Sequence, residues 1–349
     1  MSDRTITSIP GLIDAGLLSV DSPAAIEQLA AKYAVAITPA VAKNIDIADP
    51  ADPLAKQFVP SLNELVTHPA ETPDPISDEP FSPVKGIVHR YPDRALLKVV
   101  NICPVYCRFC FRREMVGPSQ GVGLSASEID TALTYIANTP AISEIIFTGG
   151  DPFVLSPRRL ADLTSKMSSI PSIRKIRWHT RVPMVMPEKV DTNLVEALSA
   201  PGRAVRVAIH ANHPNEFTDQ AMEACQALES AGFELLSQSV LLKGINDCSS
   251  TIAALMMKYS EAGARPYYLH HGDLAPGTSH FRTTIADGMS LMRELAEAVP
   301  DTMHPKYILD VPGGSGKVEL NTHNCHQQPD GSYLIGHHPD KQFRYVDAV

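Results

Sequence analysis

From about residue 95 onward, short apolar runs rich in β-branched residues alternate with stretches whose apolar positions recur every three or four residues. The runs read as strands: ALLKVVNI (95–102), SEIIFTG (143–149), IRKIRWHT (173–180), AVRVAIH (204–210), LLSQSVLL (235–242), RPYYLHH (265–271) and KYILDV (306–311). Between them SEIDTALTYIAN, RRLADLTSKMSS, DQAMEACQALESAG, STIAALMMKYSEAG and ADGMSLMRELAEAV read as amphipathic helices, the first opened by a Ser125–Glu128 capping box. Such alternation predicts an α/β fold with a parallel sheet and right-handed crossovers, and six or seven units make a full or partial barrel.

The flanks differ. AAIEQLAAKYA is helical in pattern, and prolines crowd residues 50–83, which predicts an extended segment laid over the surface. The tail after Lys317 reads as a short β-rich extension or closing flap. The expected division is therefore a helical and extended wrapping segment (1–94), a barrel core (95–311) and a C-terminal loop and extension (312–349).

With 349 residues, 44% hydrophobic and 20% charged, the chain can bury one large core. A net charge of −9 and the lack of a basic tract argue against nucleic acid as a partner. No run of about 18 apolar residues is present to span a bilayer. MSDRTITSIPGL is not a signal peptide in pattern, and Cys225, Cys248 and Cys325 are too scattered for a disulfide framework. A cytoplasmic protein is expected.

The chemistry concentrates at strand ends, where α/β barrels place their active sites. After the first run, NICPVYCRFCFRR carries Cys103, Cys107 and Cys110 in C-x3-C-x2-C spacing. Three thiolates on one loop can hold three irons of a four-iron cubane, and the lack of a fourth nearby cysteine leaves one iron open. A zinc knuckle would want paired C-x2-C units, and only one is present. Gly149, Gly150 and Asp151 end the second run, where two glycines permit close backbone approach. Arg181, His210, Asp273, Asp310 and Lys317 fall on the same rim. DVPGGSGK is not a phosphate-binding P-loop, because Val311 and Val318 stand where that motif needs Gly and Ser or Thr. Lys317 is instead a candidate for a Schiff base with pyridoxal 5′-phosphate (PLP). HRYPDR, just before the first run, offers Arg90, Tyr91 and Arg94 to a phosphate and a pyridine ring.

HRYPDR, CPVYCRFCFRR, TGGD, HANHPNE, QSVLLKGIND, RPYY, GDLAPGTSHFRT and DVPGGSGK, in this order over roughly residues 50–320, resemble the lysine 2,3-aminomutase family of radical S-adenosylmethionine (SAM) enzymes. The resemblance implies a partial (β/α)6-type radical SAM barrel with a [4Fe-4S] cluster on Cys103, Cys107 and Cys110 and SAM on the open iron. Gly149, Gly150, Asp151, His210 and Gln238 would line the SAM site. Lys317 would carry PLP, seated by Arg90, Tyr91 and Arg94. Arg112 would pair with the substrate α-carboxylate, and Asp273 and Asp310 with the distal ammonium. The implied reaction is L-lysine to β-lysine, through a 5′-deoxyadenosyl radical and an azacyclopropyl radical. An external reductant such as a flavodoxin or ferredoxin and a homo-oligomer are expected.

The two acids carry a physical argument for lysine. A desolvated ammonium needs negative charge and hydrogen bonds, and a glutamate side chain would be repelled there. A guanidinium would suit them too, so arginine stays open as substrate. So does a role making β-lysine for elongation factor P, with its opposite product enantiomer. A non-catalytic electron carrier and a radical SAM enzyme without PLP are the remaining alternatives. A zinc site on Cys248 and Cys325 is not expected, since the tail supplies only one cysteine.

Overall fold

The computed structural model describes residues 4–19, 23–338 and 341–348; positions 1–3 of the opening segment read for a leader lie outside them. The lead-in holds four short helices, α1 (Ile9–Asp14), α2 (Pro23–Lys32), α3 (Pro39–Asn44) and α4 (Pro53–Phe58). Proline stands in the first turn of α1, α3 and α4, where its missing N–H costs nothing. Ser8, Thr38 and Asp52 cap these three by accepting from backbone N–H groups.

A nine-stranded sheet follows in unbroken sequence order. Its strands are β1 (Ile87–Tyr91), β2 (Arg94–Val100), β3 (Glu144–Gly149), β4 (Lys175–Thr180), β5 (Ala204–His210), β6 (Glu234–Val240), β7 (Arg265–His270), β8 (Lys306–Val311) and β9 (Gly316–Glu319). The pairs from β2 to β8 are parallel. The crossovers carry α5 (Ala126–Ala137), α6 (Pro157–Ser168), the short α7 (Val182–Val185) with α8 (Thr192–Leu198), α9 (Asp219–Ser230), α10 (Ser249–Glu261) and α11 (Ile285–Ala298). Six strand–helix units and a closing strand make the expected (β/α)6-type barrel.

The strands are apolar on both faces because both are covered. Five of the six β3 residues are buried, as are five of six in β8. Trp178 of β4 has no exposed surface and stacks on Phe147 of β3 at 4.1 Å between ring centroids. At such positions truncation of a large side chain costs about 3–5 kcal/mol. Among the described residues, no helix is long and apolar enough to cross a membrane.

Both barrel edges are antiparallel hairpins, β1 on β2 and β9 on β8. They meet where the backbone N–H of Lys317 donates to the Tyr91 hydroxyl at 2.7 Å. Two expectations change here. HRYPDR, read as a segment before the first strand, is the end of strand β1 and its turn into β2. Lys317 lies on strand β9 rather than in a loop. Gly313 and Gly314, both at φ 82°, form the turn that precedes it. The tail forms β10 (Cys325–Gln327), β11 (Tyr333–Ile335) and β12 (Phe343–Tyr345), a small antiparallel sheet.

Candidate active site

Two cavities, one at the C-terminal ends of the strands and one reaching into the barrel beside β1, share a wall of Phe111, Arg112, Thr148, His179, Gln238 and His270. The first is bordered by Cys103, Cys107 and Cys110, together with Gly149, Gly150, Asp151, His210 and Asp273. The second is bordered by Arg90, Tyr91, Arg94, Asp310 and Lys317. The residues expected to serve the cluster and SAM thus separate from those expected to seat PLP, and Arg112 and Gln238 border both.

The cysteine loop holds its shape through charges that local patterns do not show. Arg108, between the second and third cysteines, is 1% exposed and forks onto Glu64 at 2.6–3.1 Å. Arg113 reaches the same carboxylate. Burial alone would raise the Glu64 carboxyl, but the Arg108 and Arg113 guanidiniums overcome it and hold it below the ordinary range. Arg108 also donates its backbone N–H to Gln57 of α4 at 2.8 Å. The lead-in is therefore part of the cluster cradle.

The three cysteines are half-buried, and desolvation is the main cause that pushes their thiols upward, Cys110 to about 11; neighbouring thiols add at Cys103 and Cys110, Asp151 adds at Cys103 and Cys107, and Arg181 opposes the rise at Cys107. Iron would take them as thiolates and release their protons. Among the described residues, no three His, Cys, Asp or Glu side chains converge to hold one metal ion. A cubane does not ask for that, since each thiolate binds a different iron. Cys248 is exposed at the start of α10, and Cys325 is buried in β10.

The glycines answer first to the backbone beside them. A Cβ on Gly150 would lie 2.2 Å from the Ile102 carbonyl oxygen, and one on Gly149, at φ 111°, 2.4 Å from that of Val100. Gly150 donates its N–H to the Val100 carbonyl at 2.6 Å, and Asp151 donates its own to that of Ile102 at 3.0 Å. Asp151 turns its carboxylate inward, accepting from Thr180 Oγ1 at 2.8 Å and the Arg181 N–H at 2.7 Å. It is thus a brace for the glycine turn.

In the second cavity Asp310 accepts from the Lys317 ammonium and stands 3.3 Å from His270 Nδ1. Burial would raise its carboxyl, but Lys317 and His270 hold it well below the ordinary range. At Asp273 burial and then the Asp310 charge outweigh the fields of Lys317 and Arg112 and push the carboxyl up to about 8. Asp78, which the sequence reading missed, is 1% exposed and gathers Arg112 at 3.0 Å, Arg90 at 3.3 Å and Lys98 at 3.9 Å. Arg90 further donates to the carbonyls of Ile76 and Ser77. Arg94 lies 4.0 Å over the Tyr91 ring and pairs with Asp93. Three cations on one carboxylate leave net positive charge, which suits a phosphate and a substrate carboxylate. His179, His210 and His270 are kept neutral, burial being the first cause of each depressed value.

A three-cysteine loop over the rim of a partial barrel, beside a glycine turn, defines a radical SAM enzyme. The Radical SAM superfamily model matches residues 97–255. The L-lysine 2,3-aminomutase of Clostridium subterminale is 37% identical over 87% of this chain and 72% of its own length. That of Escherichia coli (strain K12) is 36% identical over 78% of this chain and 79% of its own. The glutamate 2,3-aminomutase of Clostridioides difficile is 32% identical over 84% and 69%. The chain belongs to the lysine 2,3-aminomutase family. It is a radical-based aminomutase, an isomerase acting on a small-molecule amino acid substrate, with a [4Fe-4S] cluster, SAM and PLP as cofactors.

Proposed function

We propose that the substrate is L-lysine and the product β-lysine, the α-amino group moving to the β-carbon. The observation that carries this reading is the acid pair Asp273 and Asp310 at the shared cavities, with Asp310 already paired to an ammonium, that of Lys317. A distal ammonium removed from water needs this compensation. That several relatives bear the name L-lysine 2,3-aminomutase supports it.

Cys103, Cys107 and Cys110 would hold the cluster, which with SAM would supply radical hydrogen-atom chemistry, and Lys317 would hold PLP, which would supply a ring able to spread unpaired electron density. The chain's own groups position and exclude. Arg112, oriented by Asp78, binds the α-carboxylate. Arg90, Tyr91 and Arg94 border the phosphate-bearing end. Asp273 and Asp310 hold the far end of the substrate. Gly149 and Gly150 bring the end of β3 against the start of the cysteine loop, and His210 and Gln238 line the SAM side. Neutral His179 and His270 add no charge at the common wall. The buried setting keeps water and oxygen from the radical. An external reductant of the flavodoxin or ferredoxin type feeds the cluster, and the enzyme works as a homo-oligomer in the cytoplasm.

The test is anaerobic incubation of the iron-reconstituted protein with SAM, PLP, dithionite and L-lysine, followed by chiral chromatography. β-Lysine is expected. 5′-Deoxyadenosine without β-lysine would overturn lysine as substrate and turn attention to arginine.

A further inference from the structure

Arg181 follows β4 and is 5% exposed. Its Nη1 donates to Cys107 Sγ at 3.0 Å. Its Nη2 donates to Glu216 Oε2 and to Gln57 Oε1, each at 2.6 Å. Its plane lies over the rings of Phe58 and Phe109, at 4.7 and 5.3 Å. Its backbone N–H is fixed by Asp151 of the glycine turn. Glu216 is equally committed, accepting from Asn212 N, His213 N and Gln57 Nε2 besides the guanidinium. A buried cation is thus clamped from four segments of the chain, with Nη1 turned to a cluster ligand.

The potential of an iron–sulfur cluster depends on net charge, on solvent exposure and on hydrogen bonds to its sulfurs. One-electron reduction adds negative charge to the cluster and its thiolates. A fixed cation donating to one of those thiolates favours the reduced state, and more so where water is excluded. Glu216, on the far side of the guanidinium, subtracts part of that field. We propose that Arg181 is a positioning residue for the cluster: it binds the Cys107 sulfur and raises the reduction potential, and Glu216 limits how far. The inference stands whether or not lysine is the substrate.

The opposite signs of the two charges give the test. The full-length protein is reconstituted anaerobically, iron and sulfide are counted, and the midpoint potential is read by EPR-monitored redox titration. Arg181→Gln is expected to lower the reduced-to-oxidised ratio at fixed potential at least tenfold, 59 mV for one electron. Glu216→Gln is expected to move it the other way, and Arg181→Lys to fall between Arg181→Gln and the unaltered protein. Unchanged potentials, or the same direction for Arg181→Gln and Glu216→Gln, would overturn the proposal. A readout free of variants covers the case in which these proteins fail to load iron. Protein grown with arginine labelled with 15N in its guanidino group should show a 15N coupling in pulsed EPR of the reduced cluster. Its absence would refute the hydrogen bond.

Discussion

The carboxyl of Asp273 borders the first cavity with a pKa pushed up to about 8, by burial first and by Asp310 second. It holds a proton below that value and is ionised above it, and an ammonium binds only the ionised form. At pH 7 about one-tenth of the sites are ready, so binding there carries a cost of ~1.4 kcal/mol, tenfold in affinity. Lysine binding should therefore tighten about tenfold as pH rises from 7 to 9, while the lysine ε-ammonium stays charged. Asp273→Asn removes both the charge and its titration. A charge-assisted contact of this kind contributes about 1.5–3 kcal/mol, so at pH 9 the variant should bind lysine roughly 10- to 150-fold more weakly. At pH 7 the gap should shrink by about tenfold. The assay is KM for lysine across that range, by anaerobic turnover and chromatography. Calorimetry of binding in buffers of different ionisation enthalpy reports the proton released. A flat pH profile in the unaltered protein, with Asp273→Asn matching it throughout, would refute the reasoning.

Lys317→Ala should abolish turnover and the borohydride-reducible visible absorbance of bound PLP while the cluster absorbance stays; retained turnover removes Lys317 from its role. Glu64→Gln leaves Arg108 and Arg113 without their buried counter-charge, at a cost of about 3–5 kcal/mol, read as a lower denaturation midpoint. Because the Glu64 carboxyl is held below its unfolded value, its stabilisation is complete above about pH 4.3 and is lost as pH falls through the lower folded value. The gap between the two proteins should accordingly close in acid. Gly150→Ala forces a Cβ to within 2.2 Å of the Ile102 carbonyl oxygen, which backbone movement must relieve. Iron content after reconstitution should fall, and normal loading would show that the turn gives way cheaply.

The barrel was legible because its signal is local. Runs such as AVRVAIH and KYILDV are mostly apolar and rich in β-branched residues, and the observed β5 and β8 coincide with them. Strand β1 was missed because its last three residues, His89 to Tyr91, belong to HRYPDR, whose Pro-Asp signals a turn. Strand β9 was hidden by the glycines beside Lys317. Cys103, Cys107 and Cys110 stood out by spacing and the glycine turn by composition. The carboxylates that neutralise the rim did not. Glu64 pairs with an arginine 44 residues away, and Asp78 with one 34 residues away. No periodicity carries such contacts, although three arginines within RFCFRR do ask where their counter-charges lie. Glu216 was in view within HANHPNE, but only the fold brings it to Arg181.

The placement of those acids bears on where the chain could be cut. The matched superfamily region begins at residue 97, yet the carboxylates of Glu64 and Asp78 lie upstream of it. A fragment trimmed to that region would present Arg108, Arg112 and Arg113 as mutually repelling cations around thiols that must take up iron. The lead-in therefore acts as a built-in counterion for the catalytic barrel, and any transplant of this barrel into another protein has to carry it along.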